Sequence, residues 1–214
     1  PVIFSPLFDW PPKPLKAILA LMKRWGTISR NLLFLAMAIW VSWSFMPEET
    51  AMQTLSLGWV GSVFLRNYLF MLVIAGGLHL YLFTFRLQGS RSKQGKSRKF
   101  AFRNQVWDNL FWSLASGATI WSMYEVLYFW GVANGVIPTL SLRQYPFVFL
   151  TWLLATPLLT SSHFYFIHRL LHWPPLYRPV HRLHHRNIHI GPWSGMSMHP
   201  IEHIIYFSCI LIHW

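Results

Sequence analysis

Long apolar stretches separated by short polar ones run through this chain, and four of them are long enough to cross a membrane. They extend over residues 27–46, 57–85, 107–132 and 146–167. A further apolar run begins at Ile201. A helix needs about 20 residues to cross the hydrocarbon core of a bilayer. The pattern therefore predicts an all-α integral membrane bundle of four spans plus the start of a fifth.

The overall composition agrees with a membrane protein and excludes an ordinary soluble domain. Apolar residues make up 54% of the chain and charged residues only 11%, with a mean hydropathy of +0.35. The formal charge of +12 does not indicate a nucleic-acid partner, because the basic residues gather in loops beside apolar runs. Cys209 is the single cysteine, which excludes an intrachain disulfide and a thiolate metal cluster.

The distribution of positive charge predicts the orientation of the bundle. Residues 86–103 contain seven basic and no acidic side chains, so we expect the loop 86–106 to be cytoplasmic. The third span then leads outward and the fourth returns, which puts residue 168 at the cytoplasmic face. The predicted regions are an N-terminal lead-in with an interfacial helix at 1–26, a membrane-spanning region at 27–162 and a histidine-rich region at 163–214. The amphipathic stretch 15–25 either lies in the interface or flanks the first span.

Isolated ionisable residues inside the predicted spans are few. Arg66 in the second span and Glu125 in the third lie at similar depth, counted from the outer ends of their spans. An unpaired charge at such a depth costs several kcal/mol, so we predict an interhelical ion pair that fixes helix packing. We interpret His79, near the cytoplasmic end of the second span, as a packing residue.

Histidines are concentrated in the last quarter of the chain, where nine of the eleven lie between residues 163 and 203. His168 and His172 are four residues apart, and His181, His184 and His185 follow at spacings of three and four from the first. On helices these spacings bring imidazoles to one face, where they can share one metal or bind two adjacent ones. A lone histidine is more often an interfacial polar residue, but five in two ligand-spaced sets are costly in so apolar a chain. Imidazole suits zinc, copper, iron and nickel, and we predict that these five are metal ligands.

The two motifs, H-x-x-x-H at 168–172 and H-x-x-H-H at 181–185, resemble those of the fatty acid hydroxylase and sterol desaturase superfamily of membrane di-iron oxidases. The small-residue run 192–202, with its His199-Pro200 pair, and the aromatic lead-in 164–166 are also similar to that family. A third family motif, another H-x-x-H-H, is absent from this sequence. Because the chain stops at Trp214 inside a new apolar run, we expect a sequence truncated before that motif and an inactive fragment.

The resemblance implies an activity and its cofactors. It implies two non-haem iron ions, dioxygen as co-substrate and a separate electron donor such as cytochrome b5 or a ferredoxin. The substrate would be a lipid from the bilayer, with desaturation of a sterol or hydroxylation of a fatty chain or sterol. The histidine motifs would lie on a cytoplasmic helical cap, in a bacterial inner membrane or the endoplasmic reticulum. Possible further ligands, or hydrogen-bond partners of ligands, are His163, His199, His203 and Glu202.

Other classes of protein could use the same histidines. A zinc hydrolase is disfavoured because H-E-x-x-H is absent and no general base follows His168 closely. A haem-binding electron carrier would need paired histidines on separate spans, whereas these lie on one contiguous segment. A non-catalytic relative that only binds metal is the remaining alternative. Metal analysis distinguishes all of them, because each predicts a different metal or a haem absorption band.

Overall fold

The structure, a computed structural model, describes residues 11, 13–23, 25–85, 102, 104–187 and 190–213. All regular elements among these residues are helices, which confirms the all-α prediction. Contacts divide the chain into two compact units, Pro1–Pro47 and Glu48–Trp214.

The first unit contains two helices, α1 over Pro14–Lys23 and α2 over Trp25–Phe45. They cover the predicted interfacial helix and first span, and α2 ends two residues before Pro47, which cannot continue a helix. Large apolar side chains of α2 face outward, with Trp43 89% exposed. Such exposure is typical of a surface that meets lipid or another chain.

The second unit begins with a short helix, α3 over Glu49–Met52, followed by the long helix α4 over Leu57–Thr84. Helix α4 contains two π-helical turns, Leu72–Gly76 and Leu80–Thr84. It matches the predicted second span closely. Residues 86–101 and 103 of the predicted basic loop lie outside the described residues.

Helix α5 covers residues 105–133, with a π-helical turn at Ser113–Ala118 in its middle. The Asn104 side chain caps its start by accepting a hydrogen bond from the Val106 amide at 2.8 Å. Its end is followed by Gly135, whose φ of +68° is typical of the residue after a helix. The helix extends over the predicted third span, 107–132.

The remaining helices carry the histidines. Helix α6 covers Pro146–Leu171, helix α7 covers residues 174–185, and helix α8 covers Pro200–Phe207, with a 3-10 continuation at Ser208–His213. Proline occupies the first turn of all three, where its missing amide hydrogen costs no hydrogen bond. Proline thus marks each start in the sequence.

Two helices of the described residues are long and apolar enough to cross a membrane, α4 and α6. The segments Leu32–Phe45 and Pro200–Ile212 are apolar but shorter. Helix α5 is long, but it buries the polar side chains Asp108, Asn109, Ser113, Ser116 and Ser122. The count of four spans and the cytoplasmic orientation therefore stay predictions.

Helices α3, α4 and α5 share an apolar core and a polar network. Met52, Trp59, Val63 and Val126 form the buried apolar cluster. Beside it, Arg66 Nη2 lies 2.6 Å from Glu125 Oε1, which confirms the predicted ion pair. Asn67, which was not predicted from the sequence, also joins the network, since its side-chain amide donates to Glu125 Oε2 at 2.6 Å. The charges are thus paired and hydrogen-bonded where they are buried, as low-dielectric surroundings require.

Candidate metal centre

Four histidines from two successive helices converge beside the turn that joins them. His168 and His172 lie at the end of α6, and His181 and His185 lie on α7. One ring nitrogen from each can be chosen so that all four lie within 4.8 Å of one another. The turn at Trp173 and the prolines that follow bring α7 back against the end of α6, so the two motifs face each other.

The facing nitrogens of these rings contact each other directly. Nε2 of His168 lies 3.1 Å from Nε2 of His172, and Nε2 of His181 lies 2.9 Å from Nε2 of His185. Between two neutral imidazoles only one of the facing nitrogens carries the hydrogen, and the other accepts it. A metal ion needs the lone pair of each facing nitrogen, so binding there would require the ring hydrogens to lie on the outer Nδ1 atoms.

Helix α8 supplies hydrogen-bond partners for the outer nitrogens of two of these rings. His181 Nδ1 lies 2.8 Å from Glu202 Oε1, and His168 Nδ1 lies 2.8 Å from the Tyr206 hydroxyl. Such partners hold a metal-binding imidazole in one tautomer and one orientation. Glu202 was predicted for this position, whereas Tyr206 was missed. Tyr206 could have been predicted from its spacing, because it lies four residues after Glu202 and therefore on the same face of the helix.

His184 does not join the group of four, although the sequence predicted it as a ligand. Within the described residues, its buried Nδ1 has no hydrogen-bond partner. His203 also has one ring nitrogen without a partner. Its Nδ1 lies 2.7 Å from Ser116 Oγ, whereas its buried Nε2 has no hydrogen-bond partner among the described residues. The two side chains are close enough that charge on His184 disfavours charge on His203.

Two other candidates make contacts that do not involve the four-histidine group. His163 Nε2 lies 3.1 Å from Ser208 Oγ, between α6 and the C-terminal 3-10 turn. His199 caps α8, because its Nδ1 accepts a hydrogen bond from the Ile201 amide at 3.2 Å. Its ring stacks near Trp112, with ring centres 6.5 Å apart. These contacts give both residues a role in holding α8 in place.

Burial disfavours the charged form of several histidines at the site. Burial lowers the pKa of His181 to about 3, and the neighbouring His185, His168, His172 and His184 act in the same direction. Burial likewise lowers the pKa of His184 and of His185. A neutral imidazole keeps the lone pair that a metal needs. Histidines whose charged form is disfavoured by burial, together with buried ring nitrogens that have no partner among the described residues, fit a metal ion that takes nitrogen ligands.

One side of the site is open. A pocket of about 730 Å³ lies against α7 and is lined by His185 together with Tyr177, Arg178, Arg182 and Arg186, among others. Arg178 and Arg182 are exposed, four residues apart on the same helix. The metal group is therefore reachable through a positively charged opening.

A match to a known protein family falls on this part of the chain. Residues 152–214 match the family model described as "Fatty acid hydroxylase". The chain is similar to the Delta(7)-sterol 5(6)-desaturase of Candida dubliniensis, with 40% identity over 45 residues, 21% of this chain and 12% of that protein. It is also similar to the methylsterol monooxygenase erg25A of Aspergillus fumigatus, with 52% identity over 29 residues, 14% of this chain and 10% of that protein.

A longer but weaker match extends upstream of the histidines. The Delta(7)-sterol 5(6)-desaturase of Saccharomyces cerevisiae is 28% identical over 166 residues, which cover 66% of this chain and 40% of that protein. The chain thus spans less than half the length of these relatives. No solved structure matches the chain.

Proposed function

The chain belongs, through residues 152–214, to the fatty acid hydroxylase and sterol desaturase superfamily, and from this premise we propose that the protein is an oxygen-dependent non-haem iron oxidoreductase acting on a lipid. The reaction would be desaturation of a sterol, or hydroxylation of a fatty chain or sterol. The observation that carries the proposal is the convergence of His168, His172, His181 and His185 within 4.8 Å.

In this proposal the four converging histidines hold one iron ion. Bound iron with dioxygen supplies the oxidising power for an unactivated C–H bond, which no amino-acid side chain provides. The chain's own contribution is to present neutral nitrogens from two helices in fixed orientation. Glu202 and Tyr206 hold the outer nitrogens of His181 and His168, which directs the inner nitrogens toward the common centre.

We assign His184 and His203 to a second iron ion. The support is that each buries a ring nitrogen without a hydrogen-bond partner in the described residues. A buried acceptor nitrogen left alone is costly, and a metal ion would satisfy it. On this assignment His184 binds the neighbouring ion, although it belongs to the same motif as His181 and His185. This is possible because His184 lies three residues after His181, so the two rings point in somewhat different directions from the helix.

The environment of the site supports a lipid substrate and an external electron donor. Helix α6 is apolar and long enough to cross a bilayer, and it ends at the metal group, so a lipid would meet the site at the membrane surface. The basic opening beside His185 suits an acidic donor such as cytochrome b5 or a ferredoxin arriving from the aqueous side. The membrane would be a bacterial inner membrane or the endoplasmic reticulum, with the histidines facing the cytoplasm.

The alternatives fit the site less well. Four ring nitrogens within 4.8 Å leave no room for a porphyrin plane between them, which disfavours a haem-binding carrier. A zinc protein accepts the same ligands, so zinc is the serious competitor.

Metal analysis of the full-length protein, purified from membranes in detergent, tests the proposal. We expect two iron ions per chain without a haem absorption band, and lipid oxidation that requires dioxygen and a reductant. The His181→Ala variant should lose activity and at least one of the two iron ions, while His79→Ala, which removes a ring stacked on Phe83 in α4, should keep activity and both ions. Stoichiometric zinc, or two iron ions retained in the His181→Ala variant, would overturn the proposal.

A further inference from the structure

Helix α5 carries a row of buried polar side chains that contact the histidine-bearing segment. The Asp108 carboxylate pairs with Arg186, the Ser113 hydroxyl donates to the carbonyl of Trp193 at 2.8 Å, and Ser116 Oγ lies 2.7 Å from His203 Nδ1. Asp108 and Ser113 are fully buried, and Ser116 is 1% exposed. A helix at the apolar surface of a bundle has no need of these groups, so their number at one place indicates a specific task.

The π-helical turn at Ser113–Ala118 helps to align this row. A π-helical turn inserts an extra residue into the helix, which shifts the residues after it to a different face. Here Ser113, Ser116, Gly117 and Ala118 are all buried. At Gly117 a Cβ atom would lie 3.3 Å from His203 Nε2, so helix α5 approaches the histidine segment closely there.

Asp108 has the most consequential contact of the row. Its partner Arg186 directly follows His185, the last residue of α7, and is the C-cap of that helix. Arg186 pairs through its guanidinium with a carboxylate that is completely buried, and a charge-assisted contact of this kind fixes geometry strongly. The side chain of Asn187 also folds back, donating to the His184 carbonyl at 3.3 Å. The end of the helix that bears His181 and His185 is therefore fastened to α5 through Asp108.

We infer that Asp108 is a positioning residue for the metal centre, acting through Arg186 to fix the orientation of α7 and of its histidines. The inference rests on the proposed function, because it assigns Asp108 a part in holding the metal ligands. Asp108 itself contacts neither metal nor substrate in this scheme.

A second ion pair provides a matched control. Arg66 and Glu125 are also largely buried and also join α5 to a neighbouring helix, but they lie in the network with Asn67 and Ser122. Removing a charge there should destabilise the fold as removal of the Asp108 charge does. A general loss of stability would therefore affect both variants, whereas loss of positioning would affect only the Asp108 variant.

The experiment is a cobalt(II) titration of the metal-depleted full-length protein, with affinity and the cobalt absorption spectrum as readouts. We expect Asp108→Asn to weaken cobalt binding about 10-fold and to shift the spectrum, which is the lower end of the effect of removing a direct partner of a ligand, because Asp108 acts one contact further out. Glu125→Gln should lower the unfolding temperature but change cobalt affinity less than about twofold, because it leaves the histidines in place. Adding Arg186→Gln to Asp108→Asn should cause no further loss, since both changes remove one contact.

The outcomes separate this inference from the proposed function. A wild-type protein that binds no cobalt at the histidines contradicts the proposed function itself. Wild-type binding with unchanged affinity in Asp108→Asn, or equal losses in Asp108→Asn and Glu125→Gln, overturns the positioning role. If Asp108→Asn does not fold, Arg186→Lys is measured instead, because it keeps the charge and loses the planar fork. A smaller but clear loss of affinity is expected there, and unchanged affinity in folded Arg186→Lys would also overturn the inference.

Discussion

His181 Nδ1 lies 2.8 Å from Glu202 Oε1, and both side chains are completely buried. A carboxylate that accepts the Nδ1 hydrogen leaves the lone pair of the imidazole on Nε2. In this structure Nε2 is the nitrogen that faces His185. An ionised Glu202 would therefore select the tautomer in which His181 can bind a metal together with the other three rings.

Removal of the Glu202 carboxylate should weaken metal binding without removing a ligand. We expect Glu202→Ala to lower metal affinity about 10- to 100-fold, and Glu202→Gln to lower it less, because the amide oxygen still accepts a hydrogen bond. Iron content after dialysis against a graded chelator series measures the effect. Glu49→Gln, on an exposed position of α3, is the control. Iron retention in Glu202→Ala equal to that of the control would contradict the role.

The Tyr206 hydroxyl should contribute in the same way to His168. Tyr206→Phe keeps the ring that stacks on Phe164, with centres 5.1 Å apart, and removes only the oxygen that lies 2.8 Å from His168 Nδ1. We expect about a tenfold loss of metal affinity with little change in stability. Tyr165→Phe is the matched control. Among the described contacts, the Tyr165 hydroxyl makes one hydrogen bond, which it accepts from the exposed Arg169. A loss of equal size in both variants would exclude a specific role for Tyr206.

The sequence predicted the parts of this site that depend on local geometry. Helical spacing was enough to group His168 with His172 and His181 with His185, because residues four apart share a helix face. The start of the fourth span, predicted at residue 146, was found for a similarly local reason, because proline suits the first turn of a helix. Asp108 and Ser116 could not be found in that way, because their partners lie on other helices and are distant in sequence.

His184 and His199 show a second limit of the sequence. Both belong to motifs with ligand spacing, but spacing does not tell which way each ring points after the helices pack. His199 serves as the cap of α8, and His184 lies outside the group of four. The pairing of Arg66 with Glu125 was predicted correctly because it depends on charge and depth and not on the direction of a ring. Two opposite charges at similar depth in an apolar bundle have few other ways to avoid the cost of burial.

Gly117 should resist replacement by alanine because of the close approach of α5 to the C-terminal segment. A Cβ atom there would lie 3.1 Å from Met196 Cε and 3.3 Å from both the Met196 carbonyl oxygen and His203 Nε2. We expect Gly117→Ala to destabilise the protein by about 1 kcal/mol or more, as overpacked sites do. At Gly61 of α4 no atom lies within 4 Å of the same position, so Gly61→Ala should stabilise slightly through helix propensity. Thermal unfolding of both variants in detergent measures the contrast, and equal shifts would contradict it.

The burial of His181 should contribute a pH-dependent part of the stability of the metal-free protein. Burial, followed by the nearby histidines, lowers the pKa of His181 to about 3 from 6.5. The unfolded state therefore binds more protons than the folded state between these two values. The stabilisation is fully present above pH 6.5 and is lost as the pH falls toward 3. We expect the unfolding temperature at pH 5, relative to that at pH 7.5, to be higher in metal-depleted His181→Gln than in the metal-depleted wild-type protein. A difference of unchanged size in that variant would assign the pH dependence to other groups.

Removing one partner of the buried Arg66–Glu125 ion pair should destabilise the protein more than removing both. Arg66→Leu leaves the Glu125 carboxylate with the Asn67 amide and no cation described beside it, in a largely apolar surrounding. Leaving one charge of a buried pair alone costs about 3 kcal/mol. The double variant Arg66→Leu, Glu125→Leu removes that charge as well, and Asn67 keeps its contact with Ser122. We therefore expect the double variant to unfold at a higher temperature than Arg66→Leu, measured in the same detergent. Equal damage from the single and double changes would mean that the two charges do not stabilise each other.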